Sequence, residues 1–553
     1  MKTILILGAG FMQGVAIRQA KRLGAFVIAT DGNPNAICAN EAHLFVHIDL
    51  KDTNGLIAFA KKTQQERGLH AVFTTATDFS HTVACIAEAC KLPSHSIEAT
   101  EKSTNKLLMR NHLSNAGITT IPFFSVTIHD SKKNIEKKDL EKKIKDSHLQ
   151  FPAVVKPVDN MGARGCKKVN DIDTLSIAIQ EALPFSKSRT VIVETFIHGK
   201  EYSIEGFIVD NQFFVTALAD RHIYFPPYFI EMGHTIPAHV TKTEEKKLCD
   251  TFEKAVRSLG LTHGACKGDI FLHNGKVYIG EIAARLSGGY MSGWTVPYSS
   301  HLNVTQLALR LAFGENTEVI HELQKWQKST QKTKVFCAER AYISIPGKVA
   351  TIIGEDKVRL TPKVYEFFPR VKSQDEVVFP TNNVEKCGNI LAVGKRYTSA
   401  SKSAEQACQK IVLRLKPNEM STNAFLESPL LSKKTEDNHS VSVFNFTNEQ
   451  LSQFSKILKA DPLVKKTIQK ISRKKSKKIA YPCCISAFLT KKFDVQGRTL
   501  LKALIQIDTC ESNFFSWVEK LMYTDTDVYQ KVWLAFLRGG IQGALYLYDS
   551  QHT

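Results

Sequence analysis

The stretch GACKGDIFLHNGKVYIGEIAARLSGG, residues 264–289, decides the fold. It reads as a hairpin of two strand-length runs around His273-Asn274-Gly275, and its second strand leads into Arg285 and the pair Gly288-Gly289. Side chains alternate along a strand, so Asp269 and Glu281 share a face only in one register. A two-residue Asn274-Gly275 turn sets residue 269 opposite 280 and sends Glu281 to the other face. A three-residue loop, His273-Asn274-Gly275 with the glycine left-handed, sets 269 opposite 279 and aligns the two acids. The expectation is that loop, or a bulge with the same effect. Converging acids repel unless a cation or proton lies between them, and Mg²⁺ holding nucleotide phosphates is the natural occupant. Two unrelated acids at an edge strand are the alternative.

Upstream lie two segments with matching chemistry. FPAVVKPVDNMGARGCKKV, residues 151–169, is a strand, a lysine and a glycine loop. Lys156 presents a point charge to phosphates, and Gly162 and Gly165 let a loop fold over them. VIVETFIHGKEYSIEGFI, residues 191–208, is a buried strand ending at Glu194-Thr195-Phe196-Ile197, then a glycine turn and Glu201. A carboxylate at Glu201 can take both ribose hydroxyls, while the backbone of the preceding hinge reads adenine.

Residues 1–100 alternate short apolar runs (TILILGAG, AFVIATD, LFVHID, AVFTTATD) with helical stretches, which predicts an α/β domain with a doubly wound parallel sheet. Its first turn, ILILGAGFMQGVA at 4–16, resembles a dinucleotide fingerprint with Asp31 near the place of a ribose acid. Gln13 stands where the third glycine belongs, so the signal is weak, and many α/β domains use such a turn only to pack a helix on a strand. From about 333 to 400 short strands dominate, closed by the helical run SAEQACQKIVLRL. Residues 417–441 are polar and aperiodic and read as a linker. FTNEQLSQFSKILKA then opens a helix with Thr447 and Gln450 as a capping box, and NFFSWVEKLM and VYQKVWLAFL supply a helical core.

The ordered series Lys106, Lys156, glycine loop, Glu194, Glu201, Asp269, Glu281, Arg285 resembles the ATP-grasp superfamily over residues 1 to about 416. The resemblance implies a pre-ATP-grasp α/β domain at 1–102, an α+β ATP-grasp core at 103–332 and a strand-rich lid domain at 333–416. A linker at 417–442 and a mainly helical domain at 443–553 follow, the latter without a legible role. It implies ATP and Mg²⁺ as cofactors, with Mn²⁺ as the alternative ion. Lys106 and Lys156 would bind phosphates, Gly162, Arg164 and Gly165 would form the lid loop, and Glu194, Thr195, Phe196 and Ile197 would hold adenine. Glu201 would bind ribose, Asp269 and Glu281 the metal, and Arg285 would act with Lys156 on the transferred phosphoryl group. The reaction would phosphorylate a carboxylate and join it to an amine.

Two departures bear on the subclass. Ala283 stands where many members place a metal-binding Asn, and LSGGYMSGWTVPYSS after Arg285 lacks the segment that biotin carboxylases carry. PPYFIEMGHTIPA at 226–238 with GEIAARLSGG is most similar to amino-acid ligases, so Glu231, His234, Gly10, Gly288 and Gly289 are candidates to face the substrate. For His234 a purely structural role is the favoured reading. The alternatives are an ATP-dependent carboxylase, another acyl-phosphate transferase, or a nucleotide-gated protein with a basic C-terminal domain meeting nucleic acid.

At 553 residues, three or four domains are expected. The net charge is +19. Seven lysines at 132–145 interleave with acids, and Ile135, Leu140 and Ile144 mark one buried stripe, so that run reads as a solvated helix face. The run VKKTIQKISRKKSKK at 464–478 holds eight basic residues and no acid; it suits a polyanion, but nucleic acid is not the expected partner. The twelve cysteines lack metal-ligand spacing, the vicinal pair Cys483-Cys484 included. No apolar run has membrane-span length, and the first strand enters Gly8 without a secretory segment, so a cytoplasmic protein acting on small molecules is expected, with a homodimer as one arrangement its tail allows.

Overall fold

Four apolar runs make the first sheet: β1 (Thr3–Leu7), β2 (Phe26–Asp31), β3 (Leu44–His47) and β4 (Ala71–Phe73). They pair in parallel in the order β3-β2-β1-β4. Every residue of TILIL is buried, as a strand covered on both faces requires. Ile4 and Ile6 join a core with Ala16 and Ile17 of the helix Phe11–Arg22, while Leu5 and Leu7 face the other way onto Leu56 and Ile86 of the helices Thr53–Arg67 and Ser80–Cys90. The sheet is therefore doubly wound. Its chain order reverses between β1 and β4, so the loops Gly8–Gly10 and Thr74–Asp78 border the crevice where such sheets take ligands.

The glycine turn after β1 is filled by the protein. A Cβ on Gly8 or on Gly10 would lie 2.9 Å from the Gln13 side chain, whose Nε2 donates to Thr75 O at 2.6 Å. Asp31 accepts from Ala9 N at 2.8 Å and from Asn33 N at 2.9 Å. The turn thus closes a helix onto a strand.

The computed structural model describes residues 1–128, 135–329, 335–427, 442–444, 446, 451–452, 503, 506–507 and 509–552. These form two units, one of Met1–His222, Gly233–Glu339 and Leu391–Lys402, the other of Ile223–Met232, Arg340–Ile390 and residues from Ser403 onward.

Within the first unit, β5 (Phe123–Thr127), β6 (Ala153–Pro157), β7 (Lys167–Val169) and β8 (Thr190–Thr195) form an antiparallel sheet ordered β5-β8-β6-β7. The helix Lys137–Asp146 buries Leu140 completely against it, with Ile135 and Ile144 alongside, and turns its lysines outward, as the stripe predicts. A further sheet runs β13-β12-β9-β10-β11, from β9 (Lys200–Val209), β10 (Gln212–Tyr224), β11 (Ile230–Ile236), β12 (Gly264–His273) and β13 (Lys276–Ala283). One face packs Tyr202, Ile204, Ile270 and Ile282 against Met109, Leu248 and Phe252 of the helices Lys106–Asn115 and Lys242–Ser258. The other face carries the charges.

In the second unit, strands Gly347–Ile353, Glu376–Val377 and Val412–Leu415 form a small sheet. Val349, Ile390, Leu413 and Leu415 share one core with Leu426, Ala535 and Tyr546. The lid-like segment and the C-terminal helices Phe514–Thr524 and Thr526–His552 therefore do not have separate interiors. Part of the expected linker is itself a helix, Met420–Glu427, because Thr422 and Leu426 are buried. The Thr447–Gln450 box, the basic run 464–478 and Cys483-Cys484 lie outside the described residues. Among the described residues no helix is long and apolar enough to cross a membrane.

Candidate functional site

The β12–β13 hairpin closes with the shorter of the two turns. Asn274 (φ 48°) and Gly275 (φ 73°) are its two central residues, and His273 pairs with Lys276. The expected three-residue loop is not used, because Asn-Gly satisfies both left-handed positions by itself. Alignment is restored further along: Ile270 stands opposite Ile279 but Asp269 opposite Glu281, leaving Gly280 bulged out. A Cβ at Gly280 would lie 2.9 Å from Asp269 O and 2.7 Å from the Phe271 ring. The buried Arg110 guanidinium holds the bulge, donating to Ile279 O at 2.5 Å and to Gly280 O at 3.1 Å.

Register then lays three rows across the charged face, roughly 6.6 Å apart at two residues per repeat. The first row sets Glu201 opposite Phe271. The second aligns Ala219, Ser203, Asp269 and Glu281, and the third Ala217, Glu205, Lys267 and Ala283. Arg221 pairs with Glu201 and reaches Asp269 Oδ2 at 3.1 Å. Lys267 Nζ lies 2.5 Å from the same oxygen, and Ser203 Oγ donates to Asp269 Oδ1 at 3.1 Å. Burial would raise the Asp269 carboxyl, but Arg221 and Lys267 outweigh it and hold it at about 2.

The other wall comes from the helix Lys106–Asn115 and the sheet of β5–β8. Lys106 Nζ donates to Asn160 O at 2.7 Å and lies 3.6 Å from Glu281 Oε2. Burial would lower its pKa, but Glu281 and Asp78 raise it, so it stays charged. Glu194, 3% exposed, accepts from Arg110 Nε at 2.7 Å and from Lys156 Nζ at 2.7 Å. Burial would raise Glu194 too, and these two cations bring it down to about 2. Its carboxylate is thus an anchor for Lys156, while only its backbone belongs to the hinge. There the N–H groups of Thr195 and Phe196 are spent on Pro122 O and Pro152 O at 3.0 and 2.9 Å, which narrows the adenine-reading donors foreseen in the sequence to Ile197. The glycine loop takes left-handed angles at Gly162, Ala163 and Gly165, and Arg164 Nε turns back onto Met161 O at 3.1 Å.

Arg285 leaves the end of β13 for the parallel-sheet domain, where its Nε donates to Asp78 Oδ1 at 2.9 Å. Gly288 packs beside Ala76, whose N–H donates to Leu286 O at 3.4 Å. Gly289 (φ 60°) is open, and Gly10 caps the helix Phe11–Arg22. His234, for which a structural role is the favoured reading, is 2% exposed, with Nε2 2.7 Å from Thr295 Oγ1 and Nδ1 3.5 Å from Glu339. Glu231 belongs to the other unit, where its backbone N–H and C=O bond Asn383 and Lys386.

Sequence reasoning missed Asp78, Arg110, Glu205, Arg221 and Lys267. Spacing could have flagged three of them: Lys267 is two residues from Asp269 on one strand face, Glu205 four from Glu201, and Arg110 one helical turn from Lys106. Asp78 and Arg221 carry no such mark. Among the described residues no group of three or more His, Cys, Asp and Glu side chains is placed to hold a metal. The protein offers two opposed carboxylates, hard oxygen donors of the kind a divalent cation takes when phosphate and water complete its shell. Ala283 adds no donor.

Two family models match the chain: the D-Ala D-Ala ligase C-terminus over residues 112–285, and the L-amino acid ligase C-terminal domain 2 over 341–416. The uncharacterized protein y4rH of Sinorhizobium fredii is 24% identical over 401 residues, 72% of this chain and 79% of that protein. A D-alanine–D-alanine ligase of Geobacillus thermodenitrificans is 29% identical over 229 residues, 39% of this chain and 59% of the ligase. The crystal structure of an L-amino acid ligase from Bacillus licheniformis superposes with a TM-score of 0.63 at 21% identity, covering 75% of this chain and 99% of that one, a likeness of fold.

Proposed function

We propose that this chain, which matches models of the D-Ala D-Ala ligase C-terminus and of L-amino acid ligase, is an ATP-grasp carboxylate–amine ligase that spends ATP to join a small carboxylate to an amine, with an amino acid as the favoured substrate class. The reading is supported above all by Asp269 and Glu281 standing opposite each other on a face that begins at Glu201 and ends at Lys267, with Arg285 two residues past the end of β13.

Adenine would meet the Ile197 N–H and the hinge carbonyls, and the ribose hydroxyls Glu201. The phosphate chain would then run along the face under Lys106, Lys156 and the loop Gly162–Gly165. Arg221, which bridges Glu201 and Asp269, gives up one carboxylate as nucleotide enters. Asp269 and Glu281 would hold Mg²⁺, or Mn²⁺ in its place, and the ion supplies charge neutralisation at the phosphate oxygens. Carboxylate oxygen is a weak nucleophile and hydroxide a poor leaving group, so activation is needed. The substrate carboxylate attacks the γ-phosphorus, the bond to ADP breaks, and an acyl phosphate forms. The amine nitrogen then attacks the acyl carbon, phosphate leaves with the electron pair, and the nitrogen loses a proton. Lys156, Lys267 and Arg285 oppose the charge that builds on the transferred oxygens, and their partly buried settings make each worth more than in water. The carboxylase alternative shares this nucleotide half and differs in the nucleophile.

The test is ADP and phosphate release with Mg-ATP and pooled amino acids and carboxylic acids, followed by product mass. Substrate-stimulated release, lost on adding EDTA and in Glu281→Ala, supports the reading, and an amide product separates a ligase from a carboxylase. Absence of stimulated release, or a Glu281→Ala protein as active as wild type, removes it.

A further inference from the structure

Glu205 stands in the third row of the charged face yet has no part in the reaction just described. Its side chain is wholly buried. Oε2 accepts from Ser287 N at 2.8 Å and from Ser292 Oγ at 2.5 Å, while Oε1 has no hydrogen-bond partner. Lys267 lies directly opposite in register but gives its ammonium to Asp269. Burial raises the Glu205 carboxyl above the usual range, and the Ser292 and Ser287 bonds oppose this only in part.

The two donors are the ends of a single turn. Ser287 follows Arg285 by two residues, and Ser292 sits in the π-helical segment Met291–Thr295. Between them, Gly289 and Tyr290 both take left-handed angles. A segment of this kind has no regular ladder of its own and keeps its place through tertiary anchors. The parallel-sheet domain supplies some: Asp78 on Arg285, Ala76 on Leu286 O, and Phe11 stacked on Trp294 at 5.5 Å. Glu205 supplies the anchor from the nucleotide-facing sheet.

Resting on the ligase reading, we propose that Glu205 is a positioning residue whose carboxyl pins residues 287–292 by two hydrogen bonds and thereby sets where Arg285 meets the transferred phosphoryl group. The residue touches no substrate atom itself. A neutral acceptor of the same shape serves equally well, because the task is to receive two bonds.

Glu205→Ala, Glu205→Gln and Ser292→Ala are compared by steady-state ADP release and by amide hydrogen exchange over residues 285–295. Glu205→Ala is expected to lose about tenfold in kcat with KM for ATP within about twofold, since the ribose and metal carboxylates lie in other rows. Its 285–295 amides exchange faster. Glu205→Gln recovers kcat to within about threefold and restores protection, because the amide oxygen accepts both bonds. Ser292→Ala, which removes the hydroxyl shared by Glu205 Oε2 and Ser287 O and leaves the carboxyl's bond to Ser287 N in place, moves both readouts part of the way and stands in for Glu205→Ala if that variant does not fold. Unchanged kcat and exchange in the variants, or a Glu205→Gln protein as impaired as Glu205→Ala, overturns the proposal. Wild-type protein without substrate-stimulated turnover sinks the ligase reading instead, and the exchange experiment still reports separately whether Glu205 holds the turn.

Discussion

Arg285 and Asp78 meet across 207 positions of sequence, with the guanidinium Nε and Nη2 at 2.9 and 2.5 Å from one carboxylate oxygen. Asp78 sits in the loop after β4, beside the crossing point of the parallel sheet, and Arg285 ends the hairpin that bears the paired acids. Burial would raise the Asp78 carboxyl, but Arg285 and Lys106 hold it below its ordinary range. The N-terminal domain therefore fixes the direction of the Arg285 guanidinium.

Asp78→Asn keeps the shape and removes the charge, which frees Arg285 to swing. The expected result is a loss in kcat of about tenfold or more, since small misplacements of a charge-stabilising group are costly. ATP affinity measured by titration calorimetry should change little. An Asp78→Asn enzyme with wild-type kcat would show that Arg285 needs no such aim.

Glu194 makes stability depend on pH. Its carboxyl lies at about 2 in the folded chain against an ordinary value of 4.5, so the folded state gains stability above the unfolded pKa and loses it as pH falls from about 4.5 toward 2. A shift of this size is worth about 3 kcal/mol at neutral pH. Glu194→Gln leaves Arg110 and Lys156 without their anion and should destabilise by about 3–5 kcal/mol. Denaturant melts from pH 7 to 3 should show a shallower acid slope in the variant than in wild type; parallel slopes would remove Glu194 as the cause.

The contrast between Glu194 and Asp269 shows what a sequence yields. The order of lysines, glycine loop, hinge and paired acids was legible because each motif is local, and a shared face for Asp269 and Glu281 called for either a three-residue loop or a bulge. Which of the two devices serves was not legible. The turn takes the two-residue Asn-Gly form and the bulge at Gly280 carries the alignment, held by the distant Arg110. The partners that tune the charges come from far away, Arg110 to Glu194 across 84 positions and Arg285 to Asp78 across 207. Separations of that length leave no trace in spacing. Glu194 itself was read for its backbone, while its side chain does the anchoring.

Deleting Gly280 should leave the two acids on one face. Without that residue the two-residue turn sets Asp269 opposite Glu281 by regular pairing, since Ile270 already stands opposite Ile279 and Gly280 is the extra residue, so Mg²⁺-dependent ATP turnover should persist if the chain folds. Gly280→Val keeps the count but drives a side chain toward Asp269 O and the Phe271 ring, and about 1–3 kcal/mol of destabilisation is expected. Loss of Mg²⁺-dependent turnover in a deletion variant that melts like wild type would show that the bulge itself, beyond the shared face, serves the site.

The tail is best tested by point substitution. Tyr546 is buried in the core that contains Val349, Leu413 and Leu415, and its hydroxyl donates to Glu419 O at 3.1 Å and Asn423 Oδ1 at 2.8 Å. Gln542 Nε2 donates to Leu413 O at 3.1 Å, and Arg414 pairs with Asp549. Truncation after Lys416 strips this core of one wall, so lost activity in such a fragment would report misfolding as readily as a missing substrate contact. Tyr546→Ala should cost about 3–5 kcal/mol, as large aromatic truncations in cores do, and lower the unfolding midpoint of the second unit. The activity measured well below that midpoint should stay within about twofold of wild type if the helix Thr526–His552 serves the fold alone. A fragment ending at Lys416 that melts cooperatively at the wild-type temperature would contradict the shared core.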